Sequence, residues 1–315
     1  MMAPVTPHPG WPRRIVQPAQ APSVETLAGA SQGWLWLDGA QDADLEEQVV
    51  ALTPGFEHHW LWRDTAWAYS SPGYRHGPLL TRVNADLLQR FVEDWAPRQM
   101  GVLIFASDDA HASPHLQALH QMLAPDGLPL RFNLTATRQL EELCEGLAPH
   151  RLAEWFGPIR GVIWRTPDAD GAQWLRIDLP DSDAAAPMSG YEDIYTLHEA
   201  DEDAINQASF EWFMRETVRR TLPPDLAATD PAAHAKLLRQ FSIFATEAGQ
   251  IGLVIERDVR HYIGLRLRFP QQPFEKDTEL RTILAQQTVP GLQRLHHAEQ
   301  RLNQIHAVSA SGLAT

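Results

Sequence analysis

The stretch GPLLTRVNADLLQRFVEDWAPRQMGVLIFAS, residues 77 to 107, constrains the fold of this chain more than any other. Leu79 to Val83 is a short apolar run, Asn84 is a residue type that caps helices, and Leu87, Leu88, Phe91 and Trp95 recur at helical spacing. Gly101 to Ala106 is a continuous apolar run of strand length. The order is strand, helix, strand. A crossover of this length joins parallel strands of one sheet and lays the helix on its face, since only antiparallel neighbours can be joined by a tight turn. The fold class expected is α/β, a mixed sheet with flanking helices, followed by a smaller all-helical lobe. The chain contains no GxGxxG after a strand, no GxxxxGK[ST] and no HExxH, so residue chemistry alone assigns no reaction.

A chain of 315 residues, 44% hydrophobic, is long enough to bury a sizeable core in one large domain or two lobes. Its formal charge of -14 argues against a nucleic-acid partner, which needs clustered Lys and Arg, and against anionic membrane surfaces. The single cysteine, Cys144, excludes an intramolecular disulfide and a multi-cysteine zinc site, and fits a reducing compartment. The start MMAPVTPHPGWPRR has no apolar segment after a basic one, and no run approaches the roughly 20 apolar residues of a membrane span. The expected location is the cytoplasm.

Residues 1 to 30 carry Pro4, Pro7, Pro9, Pro12, Pro18 and Pro22 among small polar residues and read as a disordered arm. An α/β domain is expected over 31 to 180. Within it, GWLWLDG from Gly33 and Trp60 to Arg63 are strand candidates, and Asp42 to Leu52 is a short helix. Pro114 to Leu123 reads as a helix with Pro114 in its first turn, Leu128 to Leu134 as a strand, and Thr137 to Leu147 and Ala153 to Phe156 as helical faces. Gly161 to Arg165 and Gln173 to Leu179 form a hairpin through Asp168 to Gly171, which would end the sheet. An acidic, proline-containing linker over 181 to 203 separates this domain from a helical lobe over 204 to 306. That lobe is read as helices around Ile205 to Phe213, Leu237 to Ala248, Gly252 to Tyr262 with an extended tail, Asp277 to Gln286 and Leu292 to Ile305. Residues 307 to 315 read as a disordered tail.

No candidate for chemistry outweighs its plainer reading. Gly29-Ala-Ser-Gln-Gly33 matches GxSxG, but it precedes the first strand instead of leaving one, so Ser31 lacks the nucleophile elbow. His111, His115 and His120 lie beside Asp108 and Asp109, yet Pro114 places the first two in a loop or helix start, not on one regular helical face. His58-His59 and His296-His297 are adjacent pairs whose side chains diverge. Asp168 to Gly171 resembles the start of a calcium loop, but its glycine comes too early. Cys144 sits among Glu141, Glu142 and Glu145, neighbours that raise a thiol pKa. The expected catalytic, cofactor and metal sets are therefore empty. The 11 tryptophans point outward: most belong to a core, while the loop residues Trp67, Tyr69 and Tyr74 and the helical rings Phe213, Phe244 and Tyr262 are the partner-binding candidates.

Several tracts carry a family resemblance: WLWLDGA, LWRDTAWAYSSPGYRHGPLLTRV, the strand Gly101 to Ser107, PDGLPLRF from Pro125, and ELCEGLAPHRLAEWFGPI from Glu142. In this order the sequence resembles the effector chaperone/adaptor family of bacterial type VI secretion (Tap or TEC proteins, DUF4123-like), closely over residues 31 to 165 and more loosely beyond, where FATEAGQIGLVIERDV lies. The resemblance implies a protein that binds a cognate effector toxin in the cytoplasm and helps load it onto the VgrG spike. It implies no catalysis and no cofactor, and it carries over no binding residue. The alternative from another class is an α/β hydrolase-like enzyme, supported by the fold class and GxSxG alone.

Overall fold

A computed structural model describes residues 15–28, 33–53, 55, 58–63, 73–107, 109–131, 133–166, 173–179, 195–221 and 231–311. The chain divides into two compact units, Pro9–Ser209 and Phe210–Thr315. In order, the first holds β1 (Gln17–Ala19), α1 (Val24–Ala28), β2 (Gly33–Asp38), α2 (Leu45–Leu52), β3 (His58–Trp60), β4 (Pro78–Arg82), α3 (Ala85–Arg90) and β5 (Gly101–Ala106). It continues with α4 (Asp109–His120), β6 (Gln121–Leu123), β7 (Pro129–Arg131), α5 (Thr137–Gly146), α6 (Pro149–Phe156), β8 (Ile159–Thr166), β9 (Gln173–Asp178) and the start of α7 (Glu199–Thr221).

Seven strands form one sheet in the order β1-β9-β8-β5-β2-β4-β3, every neighbouring pair antiparallel. The crossover from β4 to β5 is present, and the two strands do point the same way. They are not neighbours, because β2 lies between them: Trp36 stands opposite Leu80 on one side and Val102 on the other. This is a split β-α-β unit. Alternation along β2 sends Trp34 and Trp36 to one face and Leu35 and Leu37 to the other. The first face packs on Leu116 and Leu119 of α4, Leu140 and Leu143 of α5, and Trp155 and Phe156 of α6. The second packs on Leu45 and Val49 of α2 and on Leu87, Leu88, Phe91 and Trp95. Burial on both faces explains why WLWL and VLIFA read as continuous apolar runs, a pattern more usual in parallel sheets.

The helix of the crossover starts as its sequence dictates. Asn84 accepts from the Leu87 N–H at 2.8 Å, and its side-chain amide donates to the Leu52 carbonyl at 2.8 Å, tying the end of α2 to the start of α3. Past Arg90 the helix widens to a π turn over Phe91–Trp95, with the Ala96 N–H donating to the Phe91 carbonyl at 2.8 Å. The wider turn lets Phe91 and Trp95 both reach the core, and both are fully buried.

Several expectations are corrected. The arm over residues 1 to 30 is not wholly irregular: Gln17–Ala19 extends the sheet beyond β9, and Val16 is buried. Pro18 is tolerated there because an edge strand has a neighbour on one side only, so its missing N–H is not demanded by a second ladder. Consequently the β8–β9 pair does not end the sheet; its connection at 167–172 lies outside the described residues. In the Trp60 to Arg63 segment, only Trp60 belongs to a strand, and Leu61 to Arg63 turn away. Pro114 is interior to α4, which begins five residues before it. The lost hydrogen bond is outweighed by burial of Ala112, Leu116 and Leu119 on that helix. Residues 121–123 leave the helix to pair with 129–131 as a small ribbon, extended by a bridge from Leu123 to Thr196.

The second unit holds the remainder of α7, then α8 (Pro231–Gln250), α9 (Glu256–Arg268), α10 (Gln271–Lys276), α11 (Thr278–Ala285) and α12 (Gly291–Ser311). Its core gathers Phe241, Ala248, Ile263, Leu265, Leu280 and Leu295 among others. Arg294 is buried and spent on structure, donating to the carbonyls of Ile251 at 2.7 Å and Leu284 at 2.6 Å. The alternation at Leu265, Leu267 and Phe269 is not a strand tail. Leu265 and Leu267 continue α9, burying Leu265 and leaving Leu267 exposed, and only Phe269 is extended. Helix α10 has no counterpart in the sequence reading, and residues 307–311, expected to be disordered, complete α12. The linker expected over 181 to 203 falls largely at 180–194, outside the described residues, while α7 begins at Glu199.

Candidate interaction surfaces

The residues weighed for chemistry are placed as follows. Ser31 and Asp168 to Gly171 lie outside the described residues. Cys144 is buried on α5, and burial, reinforced by Glu141 and Glu145, pushes its thiol pKa well up, which works against a thiolate nucleophile. His111, His115 and His120 all fall on α4. His115 is buried, with Nε2 2.9 Å from the Trp155 carbonyl, so that nitrogen donates. Burial lowers its pKa, and the bond to Trp155 opposes that shift. The fit is tight: Gly157 adopts φ 54°, and a Cβ there would stand 2.6 Å from His115 Nε2. His58 lies on β3 with Nε2 3.5 Å from Glu46 Oε1, and His296 Nε2 on α12 accepts from the Gln300 side-chain amide at 3.2 Å. No group of three or more His, Cys, Asp and Glu side chains suited to a metal occurs among the described residues.

Of the six partner-binding candidates, Tyr74 lies in the first unit, and Phe213, Phe244 and Tyr262 share one core in the second. Trp67 and Tyr69 lie outside the described residues. Tyr74 is half-buried and meets Trp60 edge to face at 6.2 Å. Phe213, Phe244 and Tyr262 are 4%, 7% and 5% exposed, so their rings fill the core of the second unit instead of opening a groove. The Arg266 guanidinium lies 4.7 Å from the centroids of both Phe244 and Phe274, and the Tyr262 hydroxyl donates to Glu247 at 3.1 Å. Arg260 lies 5.2 Å over the Phe213 ring. Helical spacing made these rings visible, but it does not distinguish a face turned to a partner from one turned to a neighbouring helix.

Sequence reasoning passed over three surfaces. In the second unit, Val254 and Ile255, between α8 and α9, are 82% and 57% exposed, and Leu292 on α12 is also exposed. A groove of about 340 Å³ in the same unit is lined by Phe269, Pro273, Lys276, Leu302, Ile305 and His306. In the first unit a shallow polar cleft of about 360 Å³ lies among Asp38, Gln41, Arg98, Gln99, Thr137 and Arg138. Two of its residues arrive by unusual backbone: the π turn leads into Arg98, and Gln99 takes φ 59°, rare for a residue with a side chain. The apolar run Val254-Ile255 was legible in the sequence as two adjacent β-branched residues that no single helical face can bury. The cleft was not, since its residues lie up to 100 positions apart.

The first unit is closed by an ion-pair network. Arg151 on α6 meets Asp201 on α7 through two bonds, Nε to Oδ1 at 3.2 Å and Nη2 to Oδ2 at 2.6 Å. It also meets Glu154 and, at 3.1 Å, the Tyr195 hydroxyl. Asp201 is 5% exposed; burial alone would raise its carboxyl pKa, but the Arg151 bonds prevail and hold it below the ordinary value. Burial pushes the Tyr195 pKa up to about 12.

Among the described residues no helix is long and apolar enough to cross a membrane. Comparison with curated proteins and with solved structures returned no match. The span from the start of β2 into α6, residues 33–154, matches one family model, described as a domain of unknown function (DUF4123).

Proposed function

We propose that this protein is a non-catalytic chaperone/adaptor that binds a cognate type VI secretion effector in the cytoplasm and helps load it onto the VgrG spike. One observation carries the reading. The DUF4123 match covers residues 33–154, the span in which WLWLDGA, the Gly77-Pro78 tract, the Gly101 to Ser107 strand and PDGLPLRF all lie, and these are the tracts that resemble the type VI effector chaperones. Structure gives those tracts a common purpose. WLWLDGA supplies the interior strand β2, Gly77-Pro78 leads into β4, and the ELCEGLAPHRLAEWF segment is the α5–α6 pair covering one sheet face. Among the described residues they build a scaffold of packed sheet and helices. Two further points support an adaptor: the buried Cys144 with its raised pKa, and a net charge of -14 that disfavours nucleic acid.

The test is genetic and functional. In the source bacterium, deleting the gene should reduce delivery of one effector, the one encoded beside it, while other effectors still fire and the spike still assembles. Delivery unchanged for every effector, or a purified protein with esterase turnover lost in a Ser31→Ala variant, would overturn the reading in favour of the hydrolase alternative.

A further inference from the structure

The strand at the β9 end of the sheet is lightly held. β1 sets Gln17 opposite Arg176, Pro18 opposite Leu175 and Ala19 opposite Trp174 of β9. On the other side of β9 the Leu179 N–H donates to the Arg160 carbonyl at 2.9 Å, and alternation from that bond turns the main chain of Leu175 and Ile177 toward β8. The main-chain groups of Trp174, Arg176 and Asp178 therefore face outward, where Ala19 and Gln17 take the first two. Those of Asp178 have no partner among the described residues. Along the arm from Ile15 to Ala19 only Val16 is buried; Ile15 and Ala19 are half-buried, and Gln17 and Pro18 are exposed.

Pro18 decides how this edge can grow. Standing opposite Leu175, it turns its nitrogen away from β9, so the missing N–H costs nothing inside the pair and leaves a break in the row of donors on the outer side. That break blunts the addition of a strand outside β1, and a newcomer gains the β9 ladder only by taking the place of β1. Release of β1 leaves the rest of the arm anchored, because Leu27 of α1 packs on the opposite sheet face from Val16 and stands against Gly33. The uncovered ladder would show Leu175 and Ile177 on the face that holds Val16, and Arg176 and Asp178 on the other, paired with each other at 2.6 Å.

We propose that the outer edge of β9 is a strand-acceptor site and that β1 is its releasable occupant, replaced in the bound state by an extended segment of a partner polypeptide. The chemistry of that segment is read from the place it takes. It carries an apolar, β-branched residue where Val16 sits, a polar residue where Gln17 sits opposite Arg176, and a residue with a free N–H and carbonyl opposite Asp178. A partner strand running on to Asp178 makes one hydrogen-bonded pair more than β1 does, which favours it over the arm of a second copy. The assignment goes beyond the adaptor reading and does not depend on it, because its test uses neither effector nor VgrG.

The experiment locks and releases β1 in the full chain. Opposed residues of a hydrogen-bonded pair stand about 5.5 Å apart at Cα, within the span of a disulfide. Gln17→Cys with Arg176→Cys therefore closes the edge when oxidised and opens it when reduced, while the native Cys144 is buried. The probe is the peptide of residues 13–20, amidated, labelled with fluorescein at its N-terminus and followed by polarisation; the same peptide carrying Val16→Asp is the control. The reduced protein should bind the probe saturably, the oxidised protein and the control peptide should show no binding, and amide NMR should place the shifts at Trp174, Arg176 and Asp178. Val16→Asp in the full chain, which weakens its own arm, should bind the probe about tenfold more tightly than the unsubstituted chain. If that variant fails to fold, the locked and reduced pair decides. Equal behaviour of the two redox forms, or unchanged affinity in a folded Val16→Asp chain, would overturn the proposal. A dimer that light scattering finds in the reduced protein and loses in the oxidised one would give the edge to a second copy's arm and overturn the assignment to a partner.

Discussion

Asn84 joins two helices with one side chain, and removing it should have a cost that divides into two measurable parts. Its oxygen caps α3 through the Leu87 N–H, and its amide nitrogen satisfies the Leu52 carbonyl at the end of α2. Losing the cap costs about 1 kcal/mol. Stranding a part-buried carbonyl costs about 1 kcal/mol more. Asn84→Ala should therefore lower stability by about 2 kcal/mol, whereas Asn84→Ser, which keeps a capping oxygen but cannot reach Leu52, should lower it by about 1 kcal/mol. Urea unfolding followed by tryptophan fluorescence reads this unit, since nine of the 11 tryptophans lie between Trp34 and Trp174. The midpoint should move without a change in slope. Equal losses for Ala and Ser, or a loss below about 0.5 kcal/mol for Ala, would refute the division into cap and tether.

Three other outcomes follow from buried groups. Arg151→Met should destabilise by about 3 kcal/mol by leaving the nearly buried Asp201 unpaired, and Arg151→Met with Asp201→Leu should recover much of that in the same urea assay. His115 is held neutral by burial, its folded pKa below the ordinary 6.5, so the unfolded chain binds the extra proton. Its contribution is complete above pH 6.5 and is lost as pH falls below that value; the melting temperature should drop between pH 6.5 and 5, and less steeply in His115→Gln. Phe213→Ala and Phe244→Ala should each cost about 3 to 5 kcal/mol, as core rings do; near-wild-type melting together with lost partner binding would return these rings to the interface.

Local chemistry made much of the fold legible. Asn84 announced its helix and Gly101 to Ala106 its strand, because each depends on neighbours within a few residues. What stayed hidden was set by distant partners. The insertion of β2 between β4 and β5 leaves no mark on either strand, since a strand buried on both faces is apolar whichever direction its neighbours run. Pro18 read as part of a disordered arm and Pro114 as the first turn of its helix, yet an edge position admits the first to a strand and packing on both sides of the turn carries the helix through the second. The polar cleft needed the fold, because Asp38, Arg98 and Thr137 meet only after the sheet and α5 are assembled.

The adaptor account rests on one interaction, and it is measured directly by mixing the purified chain with a purified candidate effector from the same bacterium and with its VgrG, then following size-exclusion chromatography with light scattering. The account predicts a complex of this chain with the effector, and a further complex when VgrG is added that does not form between effector and VgrG alone. Three proteins that elute separately, or an effector that joins VgrG equally well without this chain, would contradict it.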